Sequence, residues 1–202
     1  MNHQSLARSE SDSLAVSPAL TVAVIGHRRL QDAVAVAASI RSVLSGLIAA
    51  PQNGPQTPRR LVLLSPLAEG ADRLAAHEVL RLPAGVLRAV LPLAPQDYEE
   101  DFPAPTSQAE FRGLLALAAG IEVLAPGPSR AEAYRAAGYR VVDDCDIVLA
   151  VWDGQPTSGA GGTAETVAYA RERGKPLIII DSLEPARILR ERLSGVGEDS
   201  AR

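Results

Sequence analysis

The chain has 202 residues, long enough for one packed domain without a metal or disulfide staple. Twenty basic residues stand against 24 acidic ones, a formal net charge of −4. That balance argues against a protein coated in phosphate-neutralising charge, and nucleic acid is an unlikely partner on this ground. Cys145 is the single cysteine, which excludes an internal disulfide and a cysteine-rich metal site, and no metal site or cofactor is expected. No apolar run approaches the ~20 residues of a membrane span. The polar start, carrying Glu10 and Asp12, lacks the form of a signal peptide, so no membrane association and a cytoplasmic location are expected.

Apolar residues make up 47% of the chain and aromatics only 3%, so its core must be built from Ala, Val, Leu and Ile. Residues 1–19 read as a flexible leader, 20–194 as one domain and 195–202 as a tail. The run at 20–25 is continuously apolar and β-prone, as in a strand buried on both faces, and it ends at Gly26. Val36, Ile40, Val43, Leu44 and Leu47 then recur at helical spacing within a helix expected over 31–50. Prolines and a glycine make 51–58 a loop.

The alternation continues with a strand at 61–64, a helix at 71–82 and a strand at 87–91. An acidic loop at 94–105 precedes a helix at 107–119. Its Tyr98 and Phe102 are candidates for a lid or for stacking on a base. A weaker strand at 121–124 and a helix at 130–142 lead to a strong strand at 147–152. The chain then reads as a helix at 163–173, a strand at 177–180 and a last helix at 183–193 interrupted by Pro185. Strand and helix alternating in this way predict an α/β fold, a Rossmann-like three-layer sandwich with a mostly parallel sheet of about six strands and helices on both faces. In such sheets ligands bind beyond the carboxyl ends of the strands, in the strand-to-helix loops.

Four loops carry chemistry. After the first strand, Gly26 lets a ligand approach the backbone, beside His27 and Arg28, an arginine able to pair with phosphate. The second strand ends Ser65-Pro66-Leu67-Ala68-Glu69-Gly70-Ala71-Asp72. There Ser65 offers a hydroxyl, Gly70 an unhindered backbone and Asp72 a carboxylate at a helix start, where a cap is its simplest role. Nothing about a turn requires Glu69, and His77, about two turns into the helix, reads as a packed or half-exposed histidine and not as a catalyst. The third loop is the acidic one. The fourth and richest runs from Trp152 through Asp153, Gly154, Gly159, Gly161, Gly162 and Thr163 to Glu165, joining a buried strand to a helix. Glycine amides at a helix start form an anion-binding concavity. Asp153 is placed to bond a ribose hydroxyl, and Glu165 to hold a sugar or act on its glycosidic bond. No Lys-Ser/Thr pair ends this loop, which disfavours Mg-ATP hydrolysis, and no glycine triplet of the dinucleotide type follows Gly26.

From Val22 to about Ile180 these loops together resemble the SLOG superfamily, the Rossmann-like group of DprA/Smf DNA-processing proteins, LOG phosphoribohydrolases and nucleotide-derivative sensors. The segment Ser65 to Asp72 resembles the DprA pattern Ser-Gly-Leu-Ala-x-Gly-x-Asp, and Val24-Ile25-Gly26-His27-Arg28 the first strand and loop of that family. Gly161-Gly162-Thr163-Ala164-Glu165 is similar to the glycine-threonine-acid motif of LOG enzymes. His77 follows Asp72 by five residues where the DprA pattern has four, and Glu165 follows Thr163 by two where LOG enzymes have three. The resemblance implies binding of a nucleotide or an ADP-ribose-like molecule, by a sensor or binding module. It leaves two alternatives: N-glycosidic hydrolysis of a nucleoside monophosphate, with Glu165 and Glu69 as catalytic carboxylates, and DprA-like binding of single-stranded DNA. It also implies a possible homo-oligomer.

Overall fold

A computed structural model describes residues 19–49, 60–156 and 161–191. The expected leader (apart from Ala19), the loop at 51–58, the tail at 195–202 and Gly159 lie outside the described residues. The elements run β1 (Leu20–Gly26), α1 (Ala33–Ala49), β2 (Leu61–Ser65), α2 (Ala71–Leu80), β3 (Gly85–Leu91), α3 (Pro95–Glu99) and α4 (Pro105–Leu117). They continue with β4 (Gly120–Val123), α5 (Arg130–Asp143), β5 (Ile147–Trp152), α6 (Thr163–Glu172), β6 (Leu177–Asp181) and β7 (Ile188–Glu191).

The described residues form one sheet of seven strands, in the order β4-β3-β2-β1-β5-β6-β7. The first six strands are parallel, and β7 pairs antiparallel with β6. The fold class is thus the expected α/β sandwich of Rossmann-like type, with one strand more than the six read from the sequence. Alternation in β1 shows how both faces are covered. Leu20, Val22 and Val24 join a core with Val36, Ile40 and Leu44 of α1, Ala75 and Val79 of α2 and Phe111 of α4. Ala23 and Ile25 face the other way, into a core with Val141 and Val142 of α5 and Val167 and Ala170 of α6. Small alanines at 71, 75, 76, 137 and 170 are buried, so the helices sit close on the sheet.

The chain lays β2, β3 and β4 successively on one side of β1, then returns to place β5 on the other side. That reversal is a topological switch point, and it opens a crevice beyond the carboxyl ends of β1 and β5.

Three expectations are corrected. No helix forms over 183–191, the described part of the expected last helix: Asp181 Oδ1 accepts the amides of Leu183 and Glu184 at 2.9 and 3.2 Å, turning the chain back so that residues 188–191 pair with the open edge of β6. Ile188 is β-prone, and the edge supplies hydrogen-bond partners that local helical spacing cannot foresee. Within the acidic loop, Pro95 starts the short α3, as proline at a first helical turn allows. Tyr98 and Phe102 form no lid there: they are 1% and 0% exposed, with ring centroids 5.0 Å apart and edge-to-face geometry. Phe111 closes the cluster at 5.6 Å from Tyr98 and 5.2 Å from Phe102. In a chain so poor in aromatics, these rings fill volume that aliphatic side chains elsewhere provide.

Candidate functional site: a cleft at the switch point

Gly26 ends β1 where nothing larger fits. A Cβ there would stand 2.5 Å from Ala71 Cβ and 2.9 Å from Val151 Cβ. The chain beyond it is clamped from both sides: His27 N donates to Val151 O at 3.1 Å, and His27 O accepts from Ala71 N at 3.2 Å. Gly70 completes the clamp at φ +80°, where a Cβ would lie 2.4 Å from the carbonyl oxygens of His27 and Arg28. A side chain is excluded there by space as well as by backbone conformation.

The turn before α2 is equally determined. Leu67 takes φ +60°, uncommon for a side-chain-bearing residue, and is fully buried. Ser65 Oγ accepts the Leu67 amide at 3.0 Å, and Arg73 Nε donates to Leu67 O at 3.1 Å. Ser65 is therefore an internal brace, at 0% exposure. Glu69, which no turn geometry demands, accepts a hydrogen bond from Ser107 Oγ and ties the turn to α4.

These contacts leave a cleft of about 270 Å³ at the switch point, near the lower end of the usual ~300–1,000 Å³ for ligand sites. Gly26, His27, Arg28, Asp72, Gly161, Gly162 and Thr163 line it together, as do Tyr98 and Tyr134. Gly162 caps α6 with no side-chain hydrogen bond, so among the described residues no side-chain cap occupies the first amides of that helix. Gly161, at φ +79°, presses against α5, where a Cβ would lie 3.1 Å from Ala131 O. Arg28 is exposed, and its guanidinium carbon lies 5.3 Å from the Tyr134 ring centre.

Asp72 is the one carboxylate among the described residues lining the cleft, and it is 4% exposed. Gly70, and not Asp72, holds the helix-cap position, while Asp72 Oδ2 accepts the Ala68 amide at 3.2 Å. Burial pushes its carboxyl up to about 7, against the lowering influence of the Ala68 amide and the charges of Arg28 and Arg73. Burial also holds the Tyr98 hydroxyl far above its ordinary value.

The other residues singled out in the sequence lie around this cleft. Glu165 accepts the Gly161 amide at 2.5 Å and lies 2.8 Å from Arg135 Nε, so its carboxylate faces the glycine turn and α5. Asp153 and His27 meet at 3.1 Å beside Ser182 in a neighbouring recess. The Gln155 amide, together with His27, keeps Asp153 below the usual carboxylate range. Gly154 takes φ +79° with open space around it. Sequence reasoning missed Tyr134 and Thr166. Both stand on helices of the returning half of the chain, and only the strand order brings α5 and α6 over the end of β1.

Among the described residues no group of three or more His, Cys, Asp and Glu side chains could hold a metal ion. No helix among them is long and apolar enough to cross a membrane.

The chain matches no protein-family profile and no curated protein sequence. It is similar in structure to DNA processing protein A from Helicobacter pylori, which is described as having a unique single-stranded DNA binding mode. The TM-score is 0.50 at 21% sequence identity, over 79% of this chain and 64% of that one, so the chain spans less than two thirds of that protein. The inference from acidic composition that nucleic acid is an unlikely partner does not survive this likeness, because a protein of the same fold binds single-stranded DNA. Net charge sums the whole surface, whereas a strand meets only the few groups along its path. What the likeness establishes for this chain is the Rossmann-like fold it shares with DNA processing protein A.

Proposed function

We propose that this protein binds single-stranded nucleic acid and seats one nucleotide in the switch-point cleft. The observation that carries the proposal is the convergence of exposed Arg28 with the uncapped start of α6 at Gly162 and Thr163 on one cleft. The helix amides and the guanidinium supply the donors that a phosphate requires. The Arg28 plane and the Tyr134 ring offer faces on which a base stacks. The resemblance of Ser65 to Asp72 to the DprA pattern, and the fold shared with a single-stranded DNA-binding protein, support the same reading. Glu165 and Glu69 lie outside the cleft lining, and glycosidic cleavage is no part of the proposal.

The test is fluorescence anisotropy with a labelled oligothymidylate at two salt concentrations. Binding that weakens with salt and falls at least tenfold in Arg28→Ala is expected. Absence of binding, or binding indifferent to Arg28, refutes the proposal.

A second reading, a free nucleotide or ADP-ribose-like ligand, is favoured by the charge pattern around the cleft. Arg130 pairs with Asp101 at 2.7 Å, Arg135 with Glu165 at 2.8 Å and Arg73 with Glu110 at 3.1 Å. Among the described residues Arg28 is the one arginine lining the cleft. Thermal stabilisation by mononucleotides or ADP-ribose, with oligonucleotides no better than mononucleotides, decides for this reading.

A further inference from the structure

The cleft carries its polar groups in two sets. Arg28 and the start of α6 at Gly162 and Thr163 are donors, supplied by the segments that follow β1 and β5. Asp72 of α2 is the acceptor, and Tyr98 of α3 lines the same space. These two residues are 4% and 1% exposed. Asp72 spends only Oδ2, on the Ala68 amide, while Oδ1 and the Tyr98 hydroxyl make no hydrogen bond among the described residues. Neither atom is among the unpartnered polar atoms cut off from solvent, so both open onto the cleft that the two residues share. The charge of Asp72 bears on the Tyr98 hydroxyl, which places the two groups near one another.

The fold alone asks for no acid here. Gly70 holds the cap position of α2, and an asparagine would accept the Ala68 amide without burying a charge. A buried carboxyl with an unspent oxygen in a ligand cleft is a recognition group. Phosphate takes the donor set and is repelled by the carboxylate, so the part of the ligand at Asp72 must bring hydrogen-bond donors of its own. Along a DNA strand the phosphate and sugar oxygens of an internal nucleotide only accept, which leaves the N–H groups of the base. Guanine alone sets a ring N–H and an amino group side by side on one edge, with the O6 acceptor next to them.

Resting on the reading of the cleft as a nucleotide site, we infer that Asp72 determines which base is seated: guanine, whose N1–H and N2 amino group donate to Asp72 while the Tyr98 hydroxyl donates to O6. Guanine in a strand and in a free nucleotide presents the same edge, and the experiment separates the two sources.

Thymidine pentamers with a central guanine, adenine or hypoxanthine compete with a labelled oligothymidylate at pH 8, where the Asp72 carboxyl, raised to about 7, is mostly ionised. The free 5′-monophosphates of the same three bases are titrated in parallel. Repulsion between Asp72 and phosphate is common to these ligands and cancels in each ratio. Guanine should bind about tenfold more tightly than adenine, and hypoxanthine, which lacks the amino group, more weakly than guanine. Asp72→Asn keeps the shape and the Ala68 contact but turns the unspent acceptor into a donor, and it should bring guanine and adenine to within about twofold of each other. Tyr98→Phe, which leaves the ring cluster intact, should weaken guanine binding about threefold and adenine binding less. A purely structural role for Asp72 would lower every affinity alike and leave the ratio unmoved. A preference confined to the pentamers assigns the guanine to a strand, and one shown equally by the monophosphates assigns it to a free nucleotide. Equal affinities in the wild type, or a guanine preference that survives Asp72→Asn, overturn the inference and leave the cleft reading standing. Binding of none of these ligands overturns the cleft reading, and this inference with it.

Discussion

Replacing Asp72 with asparagine should make the protein more stable above neutral pH and leave it nearly unchanged in acid. The carboxyl is 4% exposed, and burial raises its pKa from 3.8 to about 7. Between those values the folded protein holds a proton that the unfolded chain has released. Stability therefore falls as pH rises from about 4, and the cost is fully present above about 7. A difference of about three pH units corresponds to about 4 kcal/mol, an upper figure for a site beside Arg28 and Arg73. Asparagine keeps an oxygen for the Ala68 amide, which Asp72 accepts at 3.2 Å, so little is lost in acid. Urea unfolding followed by circular dichroism from pH 4.5 to 8.5 measures the effect. All other groups titrate alike in both proteins, so the difference between the two curves isolates Asp72. The stability gap should widen by up to about 3 kcal/mol across this range, the first ~1 kcal/mol having developed below pH 4.5. A gap constant to within about 0.5 kcal/mol would refute the argument that burial governs this carboxyl. The same charge bears on binding, because an ionised Asp72 in the cleft repels phosphate. Wild-type affinity for an oligonucleotide should then decline above pH 7 more steeply than that of the variant.

Gly162→Val should fold normally, since φ −79° and ψ 164° are comfortable for valine, yet lose at least tenfold in ligand affinity, as anisotropy would report. Normal affinity would remove the start of α6 from the site. Glu165→Gln should cost about 1 kcal/mol in urea unfolding by weakening the Gly161 and Arg135 contacts, and it should leave nucleotide binding intact. A turnover that disappears in this variant, followed by free base released from nucleoside monophosphates, would instead make Glu165 catalytic. Phe102→Ala should cost about 3–5 kcal/mol by opening the cluster with Tyr98, Phe111 and Arg73. A variant of unchanged stability with altered ligand kinetics would restore Phe102 as a lid.

Much of this molecule is written locally. The continuous apolar runs of β1, β5 and β6 and the helical spacing in α1 identify their elements because burial on both faces, or along one stripe, imposes a pattern within a few residues. Gly26, Gly70 and Gly162 were legible for a similar reason: glycine at a strand end or helix start signals a close approach before the approaching atoms are known. Glu69 and Glu165 turn away from a ligand because their partners, Ser107 of α4 and Arg135 of α5, come from outside the local pattern, whereas Ser65 is drawn inward by the Leu67 amide two residues on.

The tertiary structure alone decided three matters. Residues 188–191 became β7 because the open edge of β6 offered hydrogen bonds stronger than any local preference. Tyr98 and Phe102 became core because α4 brought Phe111 against them. The cleft took its composition from strand order, which sets α5 and α6 beside β1 and so carries Tyr134 and Thr166 to a site begun more than a hundred residues earlier. Sequence by itself determined which segments bury apolar surface and where the backbone needs room. Packing determined which polar groups find one another, because those contacts join residues that no local period relates.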